Sequence, residues 1–371
     1  MVRLHYIDNL RWMCILLLFP LHAAFVFSAE WYDYYVSSGQ PFAAAHLFIV
    51  SVEPWIMPLL FCIAGLSTKF ALEKRTPRQY LKERVKRLLV PFLAGLVLIC
   101  PVIAYYALKF HAGYTGDFAG AFVHFFSSVS GIADPGGVKG FLGDFSVDHL
   151  WFILALFVFS VVTVCMVLPG QRLAGLRPNP GSVPLPALGL LFIPLWLLNF
   201  VGISETGYSV LSYFAMFLTG YYLLALDSVQ AQLERYWAHL VAAWIVLTIG
   251  GIWIYGIYLG HSEVFWGSSA VFVLAGWTGV LALMGAGKHM FDSAGPCEAY
   301  LRTASYPVYI IHQAILVALA YYVVTVPIPP ELQFAAVVIF GLLLMFACYE
   351  LLRRIPGVRA LFGIAGTEKL T

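Results

Sequence analysis

Trp12–Ser28 reads WMCILLLFPLHAAFVFS, an apolar run without a charged side chain, and the residues ahead of it, Ile7-Asp8-Asn9-Leu10-Arg11, carry one acid, one amide and one basic side chain. A helix needs about 20 mostly apolar residues to cross a bilayer core of about 30 Å. Nine further stretches of this kind follow: Phe42–Phe70, Leu88–Leu108, His149–Leu168, Leu185–Val201, Tyr208–Leu226, Tyr236–Leu259, Val264–Met284, Ala304–Val326 and Leu332–Leu352. They lack the strict polar–apolar alternation of barrel strands. Backbone groups in lipid must be satisfied within the segment, so the stretches predict helices. The whole chain agrees: 61% of its 371 residues are hydrophobic and 11% are charged, and the mean hydropathy is +0.85. A soluble domain carries about a quarter charged residues. A soluble enzyme, a disordered chain and a disulfide-stapled secreted module are therefore excluded, and a formal charge of +2 leaves no nucleic-acid footprint. The expectation is an all-α polytopic membrane protein of about ten transmembrane helices, with residues 1–371 forming one transmembrane domain and no separate soluble domain.

Lys and Arg set the direction of insertion. With both termini cytoplasmic, 19 of the 21 basic residues fall inside, Arg3, Arg177 and Lys369 among them, and only Lys109 and Lys139 fall outside. Basic residues before an apolar run also resemble a signal peptide, but Asp8, Pro20 and His22 suit a retained span better. Five of the six cysteines lie in apolar runs and Cys297 lies in an inside loop, which implies no disulfide framework.

An ionisable group within a span is costly and is read as functional by default. Arg11 and His22 are eleven residues apart, close to three helical turns, so they share a face about 16 Å apart along the axis. Arg11 then stands at the cytoplasmic mouth, with Asp8 able to pair with it. His22 stands about halfway across, beside Pro20, which removes a helical hydrogen bond and predicts a bend. Glu53 is a candidate partner for His22, because carboxylates orient catalytic histidines. Arg84 and Arg87, three apart and followed by Pro91, share a helix face. Paired guanidiniums suit phosphates; anionic lipid is the competing reading. His149 and Trp151 open the fourth span at the outer face, as catalytic-pocket residues or as interfacial anchors. Ser305 can cap the ninth helix, with Pro307 in its first turn. Tyr309 and His312 then share a face. Gly65 allows close helix packing. His46, His124, Asp148 and His261 fall near the outer interface.

In order along the chain, Ile7-Asp8-x-Leu10-Arg11 with His22, Phe61-Cys62-Ile63-Ala64-Gly65, Arg84-x-x-Arg87 with Pro91, His149-Leu150-Trp151-Phe152-Ile153, and Ser305-Tyr306-x-x-Tyr309-x-x-His312 resemble the motifs of the acyltransferase family 3 integral membrane proteins. The Arg-x10-His spacing is a recurrent motif of that family. Ala64 departs from it, replacing the serine of its Phe-x-x-Ser-Gly. The glucan biosynthesis protein C branch, a succinyltransferase branch, reads most like this chain.

The resemblance implies a membrane O-acyltransferase. Acyl-CoA, as acetyl-CoA or succinyl-CoA, is the implied donor, and a hydroxyl of a carbohydrate or glycan at the outer face is the implied acceptor. Arg11, Arg84 and Arg87 would hold the phosphates of coenzyme A. His22 would act as general base or as acyl carrier. His149, Trp151, Ser305, Tyr309 and His312 would line the acyl tunnel or meet the acceptor. A thioester needs no metal to react, and no metal-ligand spacing is present. The expected partners are the lipid bilayer, acyl-CoA and the acceptor, with no nucleic acid; the expected location is a bacterial cytoplasmic membrane. Oligomeric state is not legible. The competing class is a proton-coupled secondary transporter, with the buried histidines and Glu53 as a relay.

Overall fold

The computed structural model describes residues 4–131, 138–173, 183–201, 204–205, 208–254 and 269–364. Arg3, Arg177, Lys369 and His261, together with residues 255–259 and 264–268 of the predicted spans, lie outside the described residues. The chain is a polytopic all-α membrane protein. The helices are α1 (His5–Val26), α2 (Ala43–Lys74), α3 (Pro77–Arg84), α4 (Val90–Leu98), α5 (Cys100–His111), α6 (Phe118–Ser127), α7 (Trp151–Leu173), α8 (Leu185–Leu190), α9 (Phe192–Leu198), α10 (Val210–Thr219), α11 (Asp227–Arg235), α12 (Trp237–Ile254), α13 (Ala270–Met290), α14 (Pro296–Val323) and α15 (Pro330–Leu352). Two-residue strands, Ser204–Glu205 and Tyr208–Ser209, are the described β structure.

Each predicted stretch falls on a helix, but not each is a straight crossing. Among the described residues, 8 helical segments are long and apolar enough to span, or up to 9 if a bent pair is one span. Leu185–Val201 is the shortfall. Pro194 cannot donate to the carbonyl of Leu190, and the helix breaks at Leu191 into α8 and α9, too short together for a crossing of about 20 residues. The bent pair is Val210–Leu224 with Asp227–Arg235, which meet at 95°. Leu226 is extended there (φ −79°, ψ 130°), and α11 that follows is charged and polar, DSVQAQLER. Such a helix leaves an apolar layer rather than continuing through it.

Two local expectations are corrected. Val85–Leu89 is a π turn. The helix bonds i to i+5 there, and Pro91, which has no N–H to give Arg87, lies two residues beyond it. The α-helical i,i+3 relation between Arg84 and Arg87 therefore does not hold. Pro20 lies inside a continuous α1, so one helix carries both Arg11 and His22. The ninth predicted helix starts earlier than its Ser305 signal: Pro296 takes the first turn, and Pro307 is internal. Ser305 is no cap; its hydroxyl donates to the Arg302 carbonyl at 3.1 Å, a back-bond that a mid-helix serine commonly makes.

The chain divides into two compact units. The first comprises Met1–Cys14, Val50–Arg84 and Leu156–Glu298. In it α2 and α10 meet backbone to backbone. A Cβ on Gly65 would stand 1.8 Å from the Phe217 carbonyl oxygen, and one on Gly220 would stand 2.0 Å from that of Cys62. Without water to drive helices together, membrane bundles rely on such close approaches of small residues, so the packing role read for Gly65 is what the geometry gives. A buried hydroxyl chain supports α3: Tyr80 Oη lies 2.9 Å from Thr68 Oγ1 and donates to Ser160 Oγ at 3.1 Å.

The second unit comprises Ile15–Ile49, Val85–Ala155 and Ala299–Thr371. It gathers the end of α1, the loop after it, α4, α5, the start of α7, and the main lengths of α14 and α15. Its core is aliphatic and aromatic, with Phe19, Val26, Phe27, Ile103, Leu150, Val308, Ile310 and Val337 buried.

A three-histidine candidate active site

Within the second unit, α1, the head of α7 and α14 each contribute one histidine to a common point. The rings of His22 and His312 stand 5.3 Å apart, centre to centre, and those of His149 and His312 stand 4.8 Å apart. His149 is 7% and His312 2% exposed; His22 is half-buried.

His149 is aimed by an unusual backbone. Asp148, just before it, has φ +46°, a left-handed conformation that aspartate tolerates better than most residues. The Asp148 carboxylate accepts from Tyr35 Oη at 2.8 Å, and its N–H donates to Ser146 Oγ at 3.0 Å. A tight turn over Asp148–Leu150 then leads into α7. His149 Nε2 donates to the Ile310 carbonyl at 2.9 Å, and Tyr309 Oη donates to the His149 carbonyl. These two bonds lock the head of α7 to the middle of α14. His312 Nδ1 donates to the Tyr309 carbonyl at 2.5 Å.

A carbonyl oxygen can only accept, so these bonds fix which nitrogen of each neutral ring carries hydrogen. The remaining nitrogens, His149 Nδ1 and His312 Nε2, are acceptors. Both are buried and have no hydrogen-bond partner among the described residues. Leaving a buried polar group unpaired costs about 1–3 kcal/mol, and such groups concentrate at functional sites.

Two further residues complete the arrangement, and sequence reasoning missed both. Tyr34, 3% exposed, places its hydroxyl 3.3 Å from His22 Nδ1 and accepts from the Gln313 amide at 2.6 Å. His111 Nε2 donates to the Tyr34 carbonyl at 3.0 Å, and the Tyr34 ring packs against Phe25, Tyr35 and Phe141 at 4.9–5.5 Å. Gln313 had a signal: it is an uncharged polar residue inside a span, next to a flagged histidine. Tyr34 had none, being one aromatic of several in a loop.

The other predicted residues fall as follows. Trp151 begins α7 beside Phe152, ring centres 6.4 Å apart. Ser305 is buried in α14, about two turns ahead of His312. In the first unit, Arg11 donates to Asp8 Oδ1 and to Ser67 Oγ, each at 2.8 Å; the Asp8 pairing follows the expected spacing. Arg84 lies 4.6 Å over the Tyr80 ring, and its buried Nε has no partner among the described residues. Glu53 lies on α2 in that unit. The Tyr208 hydroxyl donates to the Pro54 carbonyl at 2.8 Å. Arg87 is exposed in the π turn. Among the described residues, no three His, Cys, Asp or Glu side chains converge as a metal-binding set.

Residues 4–350 match the family described as the acyltransferase domain. The chain is similar to glucans biosynthesis protein C of Salmonella schwarzengrund (strain CVM19633), with 20% identity over 97% of this chain and 94% of the relative. It is also similar to the protein of that name from Salmonella heidelberg (strain SL476), with 23% identity over 52% of this chain and 47% of the relative. No solved structure matches. With a match that runs from the start of α1 to the end of α15, the chain belongs to the acyltransferase family 3 of integral membrane acyltransferases.

Proposed function

We propose that this membrane acyltransferase moves an acyl group, acetyl or succinyl, from cytoplasmic acyl-CoA to a hydroxyl of a carbohydrate or glycan acceptor at the outer face, with His22 as the catalytic residue. The carrying observation is the meeting of His22 with two histidines whose free nitrogens are buried acceptors without partners among the described residues. A hydroxyl is the donor such acceptors lack, and a neutral imidazole is the base or nucleophile that a hydroxyl–thioester exchange requires. The name shared by the relatives supports a glucan as the class of acceptor.

Arg11, Arg84 and Arg87 are the proposed holders of the coenzyme's phosphates. The orphaned Nε of Arg84 supports this for that residue, because a guanidinium donates in a planar fork that matches phosphate. Counting the eight segments long enough to span among the described residues, an even number, both termini fall on one side, read as cytoplasmic, and the membrane is read as the bacterial cytoplasmic one. The test is free-thiol release from acetyl-CoA and from succinyl-CoA by the purified protein, with a membrane extract as acceptor source. Release by wild type and none by folded His22→Ala is expected. Release that is equal in the two would remove His22 from the chemistry. Substrate movement that depends on a proton gradient, without thiol release, would favour the transporter class.

A further inference from the structure

The hydrogen bonds around the three histidines assign more than proximity. The Tyr34 oxygen already receives the Gln313 amide N–H at 2.6 Å. Its own hydrogen is free to point at His22 Nδ1, 3.3 Å away. With Tyr34 donating, a neutral His22 accepts at Nδ1 and carries its hydrogen on Nε2. His312 is the reverse: Nδ1 donates to the Tyr309 carbonyl and Nε2 holds a bare lone pair. A ring that must lose a proton and a ring poised to take one stand 5.3 Å apart, centre to centre. His312 Nε2 has no direct hydrogen-bond partner among the described residues, so a proton would pass between the rings through one bridging hydroxyl or water.

We propose that His312 is a second catalytic residue, the base that handles the reaction's proton, while His22 Nε2 carries the acyl group. This rests on the acyltransferase reading above and chooses between the two routes that reading leaves open for His22. In the first half, His312 acts as base and takes the His22 Nε2 proton as that nitrogen attacks the thioester carbonyl carbon, so that the N–H electron pair becomes the new N–C bond while the C–S bond breaks. His312 then gives the proton to the leaving sulfur, which departs as the free thiol. The acylated His22 still accepts from Tyr34 at Nδ1, and this hydrogen bond withdraws electrons from the acyl-imidazole. In the second half, the acceptor hydroxyl oxygen attacks the acyl carbon. Its proton passes to His312 Nε2, the C–N bond breaks, and His312 returns the proton to His22 Nε2. The ester leaves and both rings regain their starting hydrogens. Tyr34 and Gln313 never change their bonds, so they are positioning residues, and no further reactant is needed.

His312→Asn is the diagnostic variant. The asparagine amide nitrogen takes the place of Nδ1 and keeps a donor for the Tyr309 carbonyl, while Nε2 is deleted. General acid–base groups contribute about 10²–10⁴-fold. Two readouts are compared on the full-length protein in detergent: thiol release and protein-bound label after mixing with radiolabelled acyl-CoA in the absence of acceptor, and affinity for an unreactive thioether analogue of the donor. Wild type should release one thiol per protein in a burst and retain the label. His312→Asn should slow both by a hundred-fold or more, with analogue affinity within two-fold of wild type. A variant within three-fold of wild-type rates, while His22→Ala is inactive, would return His312 to packing and overturn the proposal alone. Loss of analogue binding in His312→Asn would mean that its role is to hold the fold, with the same consequence. Wild-type transfer without protein-bound label would overturn the acyl-carrier role. Wild type that releases no thiol from any acyl-CoA, with or without acceptor, would overturn the function itself.

Discussion

Tyr34→Phe removes one oxygen from the centre of the site and leaves the ring that packs on Phe25, Tyr35 and Phe141. Two bonds are lost. The bond to His22 Nδ1 is long, 3.3 Å, and belongs at the weak end of the net range of about 0.5–1.5 kcal/mol for a neutral hydrogen bond. If it acts chiefly in holding the ring and polarising the acyl-imidazole, about 0.5–1 kcal/mol is added to the barrier, or about two- to five-fold lost in kcat. The bond from Gln313 is short, 2.6 Å, and its loss leaves a buried amide whose Oε1 already has no partner among the described residues. That costs stability, about 1–3 kcal/mol. Adding Gln313→Leu removes the stranded amide, and replacing both partners of a buried bond by apolar groups can be nearly neutral. The double variant should therefore regain most of the thermal stability lost by Tyr34→Phe and none of the lost rate. The assay is thermal unfolding in detergent beside initial rates of thiol release at saturating acyl-CoA. A Tyr34→Phe protein with unchanged kcat, or rate losses that add in the double variant, would refute the chain from Gln313 through Tyr34 to His22.

Further outcomes follow from other contacts. Arg84→Ala should weaken acyl-CoA binding with salt-sensitive residual affinity, measured by equilibrium dialysis at two ionic strengths; unchanged affinity would return Arg84 to a topogenic or lipid-binding role. Gly65→Ala forces a Cβ into the Phe217 carbonyl and should cost about 1–3 kcal/mol of stability by overpacking; equal melting in detergent would contradict the close approach of α2 and α10. Asp148→Asn keeps both a residue tolerant of left-handed backbone and an acceptor for Tyr35, whereas Asp148→Val loses both and adds about 1–2 kcal/mol of strain. Activity should survive the first and fall sharply in the second, and equal activity of the two would show that the turn does not aim His149.

Much of this architecture was legible because bilayer physics leaves a coarse signal. Long apolar windows mark α1, α2, α12, α13, α14 and α15, and basic residues mark a side. What hydropathy does not encode is how a span ends or breaks. The break at Leu191 and the corner at Leu226 depend on single missing or redirected hydrogen bonds within windows that are apolar throughout. The π turn ahead of Pro91 has the same origin. Ser305-x-Pro307 is a good helix-start signal, but Pro296 is a better one, and neither is decisive when the intervening residues are also helix formers. At the site, polarity inside an apolar span pointed to His22 and His312, and position at a span head pointed to His149. Their convergence is a matter of tertiary packing between segments far apart in the chain. Tyr34 acquires its role only from where its loop folds back, which no local pattern records.

The central claim is that His22 mediates transfer from acyl-CoA to a hydroxyl acceptor, and the most direct measurement is the product itself. Purified protein is supplied with radiolabelled succinyl-CoA or acetyl-CoA and an oligosaccharide glucan, and label in the glucan is followed over time for wild type and for His22→Gln, which removes the imidazole. The account predicts ester-linked label in the glucan with wild type and at least a hundred-fold less with a folded His22→Gln protein. Equal labelling by both proteins would contradict it.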